Sequence, residues 1–163
     1  MQRSTRRRQS TSDPEGASSM VKPFTKVLVG TDFSDGASRA VERAADVAQR
    51  YSAQLHVVHV WALPHVATSL VIDPGLEWHT PVEQTARAQL DALIEQLRAN
   101  QVEASSSLLS GVAWEQIVES IAVLGADLVV VGTHGRTGLR RALLGSVAER
   151  VVRFSLVPVL TIH

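Results

Sequence analysis

Residues 127–146, DLVVVGTHGRTGLRRALLGS, contain the pattern that decides the fold, an apolar run followed by a glycine-rich loop. The run from Asp127 to Gly132 is continuous and rich in β-branched residues, which is typical of a central parallel strand covered on both faces. After the loop, the residues from Leu143 to Ser155 show helical periodicity. The stretch therefore predicts a strand, a glycine-rich turn and a helix in succession.

The same alternation of short apolar runs and helical patterns extends along the rest of the chain. Val41, Ala44 and Ala48, for example, recur at helical spacing and give one apolar face to a helix. The predicted strands are Lys26 to Thr31, Leu55 to Trp61, Val102 to Leu109, Asp127 to Gly132 and Val157 to Ile162. The predicted helices are Ala37 to Tyr51, Val82 to Asn100, Trp114 to Leu124 and Leu143 to Ser155. Strands that alternate with helices predict a single-domain α/β fold, a five-stranded parallel open sheet with helices on both faces.

Composition limits the class of protein. A chain of 163 residues, 45% of them hydrophobic, is sufficient for one domain with a single sizeable core. Cysteine is absent, which excludes disulfides, thiolate metal sites and a cysteine nucleophile, and which fits the cytoplasmic location that we expect. The sequence contains neither the roughly 18 consecutive apolar residues of a membrane-spanning helix nor an apolar signal region after its basic N-terminus.

The first 22 residues differ from the remainder, because they are rich in Ser, Thr and Arg and carry five basic against two acidic side chains. Such a segment cannot bury enough surface to offset chain entropy, so we expect a disordered tail at 1–22 and a folded domain at 23–163. An organelle transit peptide is the alternative, although Gln2 to Ser19 has almost no large apolar residues. The remainder is nearly neutral and has no basic stripe, so nucleic acid is not expected as a partner.

The glycines of the loop are spaced in a way that suits phosphate. Gly132 and Gly135 have two residues between them, and Gly145 with Ser146 follows after nine more. Glycine permits positive φ and close approach of backbone N–H groups to an anion, and the start of a helix offers unpaired N–H groups. The loop is therefore predicted to be a phosphate cradle at the carboxyl edge of the sheet, where open α/β sheets bind ligands.

With this motif the chain resembles the universal stress protein family, whose ATP-binding members carry glycine, two residues, glycine, nine residues, then glycine followed by Ser or Thr. The resemblance covers residues 24 to 163 and includes KVLVGTDFS at 26–34, VHV at 58–60 and PVL at 158–160. It implies a Rossmann-like sheet of strand order 3-2-1-4-5. It also implies a stress-response sensor or regulator that binds ATP, or another adenine nucleotide, with Mg²⁺.

Carried onto this sequence, the resemblance implies a nucleotide site at two adjacent strand ends. Asp32 would hydrogen-bond the ribose or adenosine, Val60 would present its backbone to adenine, and Gly135 would approach the phosphates. The full set of implied site residues is Gly30, Thr31, Asp32, Val60, Val131, Gly132, Gly135, Gly145, Ser146 and Val147. Ala148 occupies a position where some relatives carry a hydroxyl, so one hydrogen bond to the phosphates would be absent.

Simpler explanations exist for the same residues. Asp32 could cap the first helix, although Ser34 or Asp35 is better placed to do so. The glycines could be ordinary turn residues between a strand and a helix. The cluster Arg136, Arg140 and Arg141 could either screen phosphate charge or remain solvated.

The histidines do not form a predicted metal site. His56 and His59 are three residues apart on a strand, so their side chains face opposite sides of the sheet and we expect ordinary polar packing. His134 lies in the phosphate loop, where it could contact an anion or point to solvent. The three tryptophans, Trp61, Trp78 and Trp114, have no regular spacing and are expected to pack in the core or at an interface.

A dedicated enzyme is not predicted, because Asp32 is the only acid near the proposed pocket and phosphoryl transfer needs a positioned base and a metal clamp. Two alternatives to an ATP sensor stay open: a weak ATPase, and a nucleotide-free dimeric stress protein that acts through protein contacts. The final strand, Val157 to Ile162, is expected at a sheet edge with an apolar row that needs covering. We therefore expect a homodimer in which this strand pairs with its copy, as in many members of the resembling family.

Overall fold

The computed structural model describes residues 24–61, 81–133 and 144–163, and five strands alternate with four helices along them. The elements are β1 (Lys26–Thr31), α1 (Asp35–Tyr51), β2 (Gln54–Trp61), α2 (Pro81–Ala99), β3 (Ala104–Ser110), α3 (Ala113–Leu124), β4 (Leu128–Gly132), α4 (Ser146–Phe154) and β5 (Val159–Ile162). This alternation confirms the predicted α/β class.

The strands form one parallel sheet in the order β3-β2-β1-β4-β5, which confirms the expected topology. Val29 of β1 is in register with Val57 on one side and Val130 on the other. The chain leaves β1 toward β2 and β3, and later returns to add β4 and β5 on the opposite side of β1. The carboxyl ends of β1 and β4 therefore flank the point where the strand order reverses, which is where such sheets bind ligands.

Two apolar clusters cover the two faces of the sheet, and alternate residues of each strand belong to different clusters. On one face, Val27 and Val29 pack with α1 and α2, and on the other face Leu28 packs with α3 and α4. The fully buried side chains Leu28, Leu55, Val27, Val29, Val57, Val58, Val129, Val130 and Val151 form the centre of these layers. Burial on both faces explains the continuous apolar runs in the sequence of the central strands.

Asp127 ties the beginning of β4 to the beginning of β1. Its carboxylate accepts hydrogen bonds from the Thr25 N–H (2.8 Å), the Thr25 hydroxyl (2.7 Å) and the Lys26 N–H (3.1 Å). Burial raises the pKa of Asp127, but the hydrogen bonds from Thr25 and Lys26 outweigh that effect and leave the pKa below its ordinary value. This anchor lies at the amino end of the sheet, away from the carboxyl edge.

Helix α1 begins two residues before its predicted start at Ala37. Ser34 is the N-cap residue and its hydroxyl accepts a hydrogen bond from the Ala37 N–H (3.3 Å), so the first turn forms from Asp35 onward. Helix α4, which was predicted from Leu143, begins at Ser146, because Gly145 has extended backbone angles (φ −68°, ψ 157°). Strand β3 begins at Ala104, two residues after its predicted start at Val102.

Strand β5 is shorter than the predicted Val157 to Ile162 and begins at Val159. Pro158 has no N–H to donate, but its carbonyl accepts from the Val129 N–H at 3.0 Å, and Val157 instead bonds to the Ser155 hydroxyl in a turn. The side chains of the strand are half-covered by the two apolar clusters. The apolar row is therefore only partly covered, and among the described residues no strand pairs with the outer backbone edge of β5.

The predicted tail at 1–22, the loop position Gly135, and the residues His134, Arg136, Arg140, Arg141 and Trp78 lie outside the described residues. Within the described ranges, none of the helices combines the length and the apolarity that crossing a membrane would require.

Candidate nucleotide site

The connection from β1 to α1, residues 32–34, is held by side-chain hydrogen bonds to its own backbone. The Thr31 hydroxyl accepts from the Phe33 N–H (3.1 Å), and Asp32 Oδ1 accepts from both the N–H (3.1 Å) and the hydroxyl (2.6 Å) of Ser34. Ser34, not Asp32, caps α1. Asp32 instead braces the capping serine, and this contact fixes its carboxylate at the carboxyl edge of the sheet.

Phe33 has an unusual backbone conformation in this connection. Its φ is +61°, in the left-handed region that bulky side chains rarely adopt. Its ring lies 4.6 Å from the ring of His59, and the His59 Nδ1 lies 2.8 Å from the Thr31 carbonyl oxygen. Strained backbone of this kind concentrates at functional sites, and here the tight packing of Phe33 on β2 maintains it.

A cavity of about 620 Å³ opens beside Asp32. It lies between the ends of β1 and β2 and the first turns of α2. Its lining residues are Asp32, His59, Val60, Trp61, Pro81, Val82, Thr85, Ala86 and Gln89. The structure thus brings Asp32 and Val60, which are far apart in the sequence, to one mainly apolar cavity with a few polar groups, as is common for small-molecule sites.

Gly132 ends β4 against the first turn of α1. A Cβ atom at this position would lie 3.0 Å from the Gly36 carbonyl oxygen and 3.1 Å from its carbon, so the backbone of α1 would have to shift by a few tenths of an ångström. The close approach of the two backbones thus favours glycine here, and the φ of Gly132 is not in the left-handed region. Positive φ, one of the two reasons that the sequence analysis gave for glycine in this loop, is wrong for Gly132. The other reason, close approach of backbone N–H groups to an anion, stays a prediction, and the close neighbour that the structure shows is the backbone of α1.

Gly30 and Val131 are the other predicted residues at these two strand ends. A Cβ atom on Gly30 would lie 2.9 Å from the Ile117 Cδ1 atom and 3.9 Å from the Val131 Cγ1 atom. Val131 and Thr31 are buried, whereas Gly30 is half-buried. Gly30, Thr31 and Val131 therefore lie at the strand ends without lining the cavity beside Asp32.

The start of α4 provides the second half of the edge. Gly145 is its N-cap residue and has no side chain that could occupy the first-turn N–H groups, while Ser146 and Val147 are exposed. Ala148 is 2% exposed and packs in the cluster below α3 and α4, so a hydroxyl at this position would face the core. Exposed first-turn N–H groups with the positive end of the helix dipole favour an anion.

Three residues that the sequence analysis did not single out, Thr133, His163 and Arg39, link the end of β4 to the start of α4, to the end of β5 and to α1. The Thr133 carbonyl accepts from the Gly145 N–H (2.7 Å), and the Thr133 N–H donates to the Ile162 carbonyl (2.7 Å). The Thr133 hydroxyl lies 3.0 Å from His163 Nδ1, and Arg39 Nε donates to the His163 carbonyl (3.3 Å). The register of β4 against β5, with Gly132 beside Ile162, places Thr133 next to His163 and could have indicated this contact.

The two histidines of β2 face opposite sides of the sheet, as predicted. Both rings are buried, and the Nδ1 and Nε2 atoms of His56 each lie 2.8 Å from a hydroxyl, those of Ser105 and Ser107 on β3. Burial, with a smaller contribution from the Lys26 ammonium, lowers the pKa of His56 below its usual 6.5. His56 and His59 therefore pack as ordinary polar residues.

Trp114 packs between α3 and α4. Its ring stacks on Phe154 with centroids 5.0 Å apart, and the Arg150 guanidinium lies 5.4 Å from the ring centroid. This is the packing role that was expected for a tryptophan of this chain. Trp61, by contrast, lines the cavity beside Asp32.

The fold and the site together define a class: a doubly wound α/β domain with a crevice at its topological switch point. The sequence matches the universal stress protein family over residues 23–163, and the chain belongs to this family.

Individual relatives agree with this assignment. A universal stress protein of Methanocaldococcus jannaschii is 32% identical over 142 residues, which cover 85% of this chain and 82% of the relative. A crystal structure of a universal stress protein in complex with cAMP has a TM-score of 0.66 and 28% identity, and the match covers 87% of this chain and 98% of that one. The universal stress protein from Archaeoglobus fulgidus in complex with dAMP matches in fold, with a TM-score of 0.62, 23% identity, and coverage of 87% of this chain and all of that one (100%).

Proposed function

We propose that this universal stress protein binds ATP together with Mg²⁺ and acts as a nucleotide-dependent sensor or regulator in a stress response. The observation that carries the proposal is the position of Asp32. Its carboxylate is fixed by Ser34 at the edge of a cavity that Val60 also lines. The strand that precedes it, β1, has β4 as its other neighbour in the sheet. A related protein of this family was solved with cAMP, an adenine nucleotide.

The two halves of the edge would hold different parts of the nucleotide. The cavity between β1, β2 and α2 suits the adenosine, with Asp32 accepting hydrogen bonds from ribose hydroxyls and the Val60 backbone beside the base. The exposed start of α4 suits the phosphates. The proposed contacts are Gly30, Thr31, Asp32, Val60, Val131, Gly132, Gly135, Gly145, Ser146 and Val147.

Mg²⁺ would enter with the phosphates. Within the described ranges no three His, Asp or Glu side chains cluster as a metal site, and Asp32 is the carboxylate that lines the cavity. This donor set fits an ion that keeps several waters and is held chiefly by substrate phosphates, as Mg²⁺ commonly is. Backbone N–H groups at the start of α4 would thus position the phosphates, and the metal would neutralise the negative charge of the phosphates.

The binding experiment begins with nucleotide released from freshly purified protein, identified by mass spectrometry. Isothermal titration with ATP and Mg²⁺, and competition by ADP, AMP and cAMP, would then rank the ligands. Absence of heat and of competition for every adenine nucleotide would refute the proposal and leave the nucleotide-free dimeric stress protein as the alternative.

Asp32→Asn is the decisive variant, because an asparagine oxygen can still accept from Ser34 while the charge is lost. We expect about a tenfold weaker affinity for ATP, the loss of roughly one charge-assisted hydrogen bond. Asp35→Asn, on the exposed first turn of α1, is the matched control and should bind normally. The same pair tests the alternative of a weak ATPase, which requires turnover above background that depends on Asp32.

We also propose a homodimer through the predicted final strand, Val157 to Ile162. Within the part of the chain that the structure describes, β5 is an edge strand with no neighbouring strand on its outer side. Antiparallel pairing with a second copy across a two-fold axis would satisfy its outer N–H and C=O groups. The double substitution Val159→Asp and Leu160→Lys should give monomers in light scattering. A monomeric wild type, or a dimeric double variant at low micromolar concentration, would refute this interface.

The protein is proposed to work in the cytoplasm, without a nucleic-acid partner and with the first 22 residues dispensable for folding. A chain shortened to begin at Met20 should keep the melting temperature of the full chain. A large decrease would mean that the removed residues pack on the domain.

A further inference from the structure

Thr133 makes hydrogen bonds with every polar group that it has. Its N–H donates to Ile162, its carbonyl accepts from Gly145, and its hydroxyl lies 3.0 Å from the ring nitrogen Nδ1 of His163. The residue is 7% exposed. Because Thr133 immediately follows β4 and Gly145 immediately precedes α4, the bond between them joins the two ends of the glycine-rich connection.

His163 is itself held in place from a third element. Arg39, on α1, donates from Nε to the His163 carbonyl at 3.3 Å. The residue follows directly on β5, whose last residue, Ile162, accepts the Thr133 N–H. The imidazole of His163, an exposed residue, thus approaches Thr133 from the end of the neighbouring strand, while Arg39 holds the His163 carbonyl.

We propose that His163 is a positioning residue for the phosphate-binding backbone, an inference that rests on the proposed nucleotide site. The ring fixes the Thr133 hydroxyl and thereby the orientation of the Thr133 carbonyl. That carbonyl holds the Gly145 N–H and so sets where α4 begins. His163 acts through Thr133 and contacts no phosphate itself.

The physical basis is preorganisation. Bringing the ends of a connection together costs entropy, and this cost is already met in the free protein when Thr133 and Gly145 are bonded. Backbone donors at the start of α4 recognise phosphate only if they are held within about half an ångström of the productive geometry. Loss of the ring contact would loosen the Thr133 carbonyl. The backbone would then have to become ordered when ATP binds, and this entropy cost would weaken the affinity for ATP.

The test compares affinity for ATP with affinity for adenosine, which lacks phosphates. For His163→Ala and for Thr133→Val, which keeps the side-chain shape but loses the hydroxyl, we expect about a fivefold weaker affinity for ATP. Affinity for adenosine should be unchanged, because the cavity beside Asp32 is not touched by either substitution. A role confined to folding would lower the melting temperature and weaken both ligands alike.

Conservative variants and a double variant show whether the contact between His163 and Thr133 itself is responsible for the effect on ATP affinity. His163→Asn, whose amide can replace Nδ1, and Thr133→Ser, which keeps the hydroxyl, should retain wild-type affinity for ATP. The double variant Thr133→Val with His163→Ala should be no weaker than the weaker single variant, because both remove one shared contact.

The outcomes separate this inference from the proposed function. If wild-type protein binds neither ATP nor adenosine, the proposed function is wrong. If wild-type protein binds ATP and His163→Ala binds it equally well, His163 has no positioning role. Equal loss of ATP and adenosine, or multiplication of the two single effects in the double variant, would also overturn the inference.

Discussion

The connection between β1 and α1 and the connection between β4 and α4 meet at the same edge but are built by different means. The first spans residues 32–34 and is fixed by side chains, with Thr31, Asp32 and Ser34 bonding to neighbouring groups. The second spans residues 133–145, and the backbone bond between Thr133 and Gly145 joins its two ends. A short connection can orient one carboxylate, whereas a long one can offer a series of backbone donors.

The two connections should respond differently to substitution. In the short connection one side chain has two roles, since Ser34 both caps α1 and holds Asp32. Around the long connection the glycines divide the roles, because Gly132, the last residue of β4, packs against Gly36 while Gly135 is proposed to face the ligand. Substitutions should therefore separate stability from binding in the second connection and combine them in the first.

The largest expected effect is the loss of ATP binding in Gly135→Val. A β-branched side chain disfavours positive φ and would fill space proposed for the phosphates, so binding should become undetectable by isothermal titration. The melting temperature should stay close to that of the wild type. Normal affinity in this variant would place the phosphates elsewhere and remove the proposed division between the two glycines.

Gly132→Ala should mainly destabilise the fold. The added methyl group would lie 3.0 Å from the Gly36 carbonyl oxygen, which cannot move without shifting α1, and such overpacking costs about 1–3 kcal/mol. Gly30→Ala is the matched control, since its methyl group would meet the flexible Cδ1 end of Ile117 instead of backbone. Urea unfolding should show the greater loss for Gly132→Ala, and an equal or smaller loss would contradict the packing role.

The two connections also differ in how much of their structure could be predicted from the sequence. Continuous apolar strands and helical periodicity were sufficient to predict a parallel sheet with its helices, because burial on both faces is recorded directly in residue type. The order of the strands came from the resemblance to the family. Asp32 and Val60 were assigned correctly to neighbouring strand ends. Strand ends that meet in space could be inferred from the order of the strands alone.

What the sequence did not reveal depends on distances between backbones. Gly132 was assigned to a phosphate cradle, although its immediate neighbour is Gly36 of α1. The pairing of Thr133 with His163 depends on the exact register of β4 against β5, and a one-residue shift would remove it. The early start of α1 depends on the Ser34 hydroxyl reaching Ala37, a choice among several capping residues.

Ser34→Ala should affect stability and binding together. Loss of the N-cap hydroxyl costs about 1 kcal/mol of folding free energy. The same change removes the 2.6 Å hydrogen bond that the hydroxyl donates to Asp32, so ATP affinity should also decrease, by about threefold. Ser38→Ala, an exposed position one turn later in α1, is the control and should change neither quantity. A Ser34 variant that loses stability but binds normally would show that Asp32 holds its position unaided.

The smallest effect is expected from His56, which lies on β2 away from both connections. Because the pKa of His56 is lowered in the folded protein, the unfolded chain binds a proton more readily, and stability decreases as the pH falls through 6.5 toward the folded value. The contribution is complete above pH 6.5 and absent below the folded pKa. Asp127 affects stability in a separate, more acidic pH range, since its lowered pKa lies below the ordinary 3.8.

Urea unfolding at several pH values between 5 and 8 should show a weaker pH dependence of stability for His56→Gln than for the wild type. Lys26→Gln removes the smaller of the two causes and should weaken the dependence less. Equal slopes in wild type and His56→Gln would mean that the hydroxyls of Ser105 and Ser107 accept from a protonated ring as readily as water does, and that burial between β2 and β3 does not disfavour the charged imidazole.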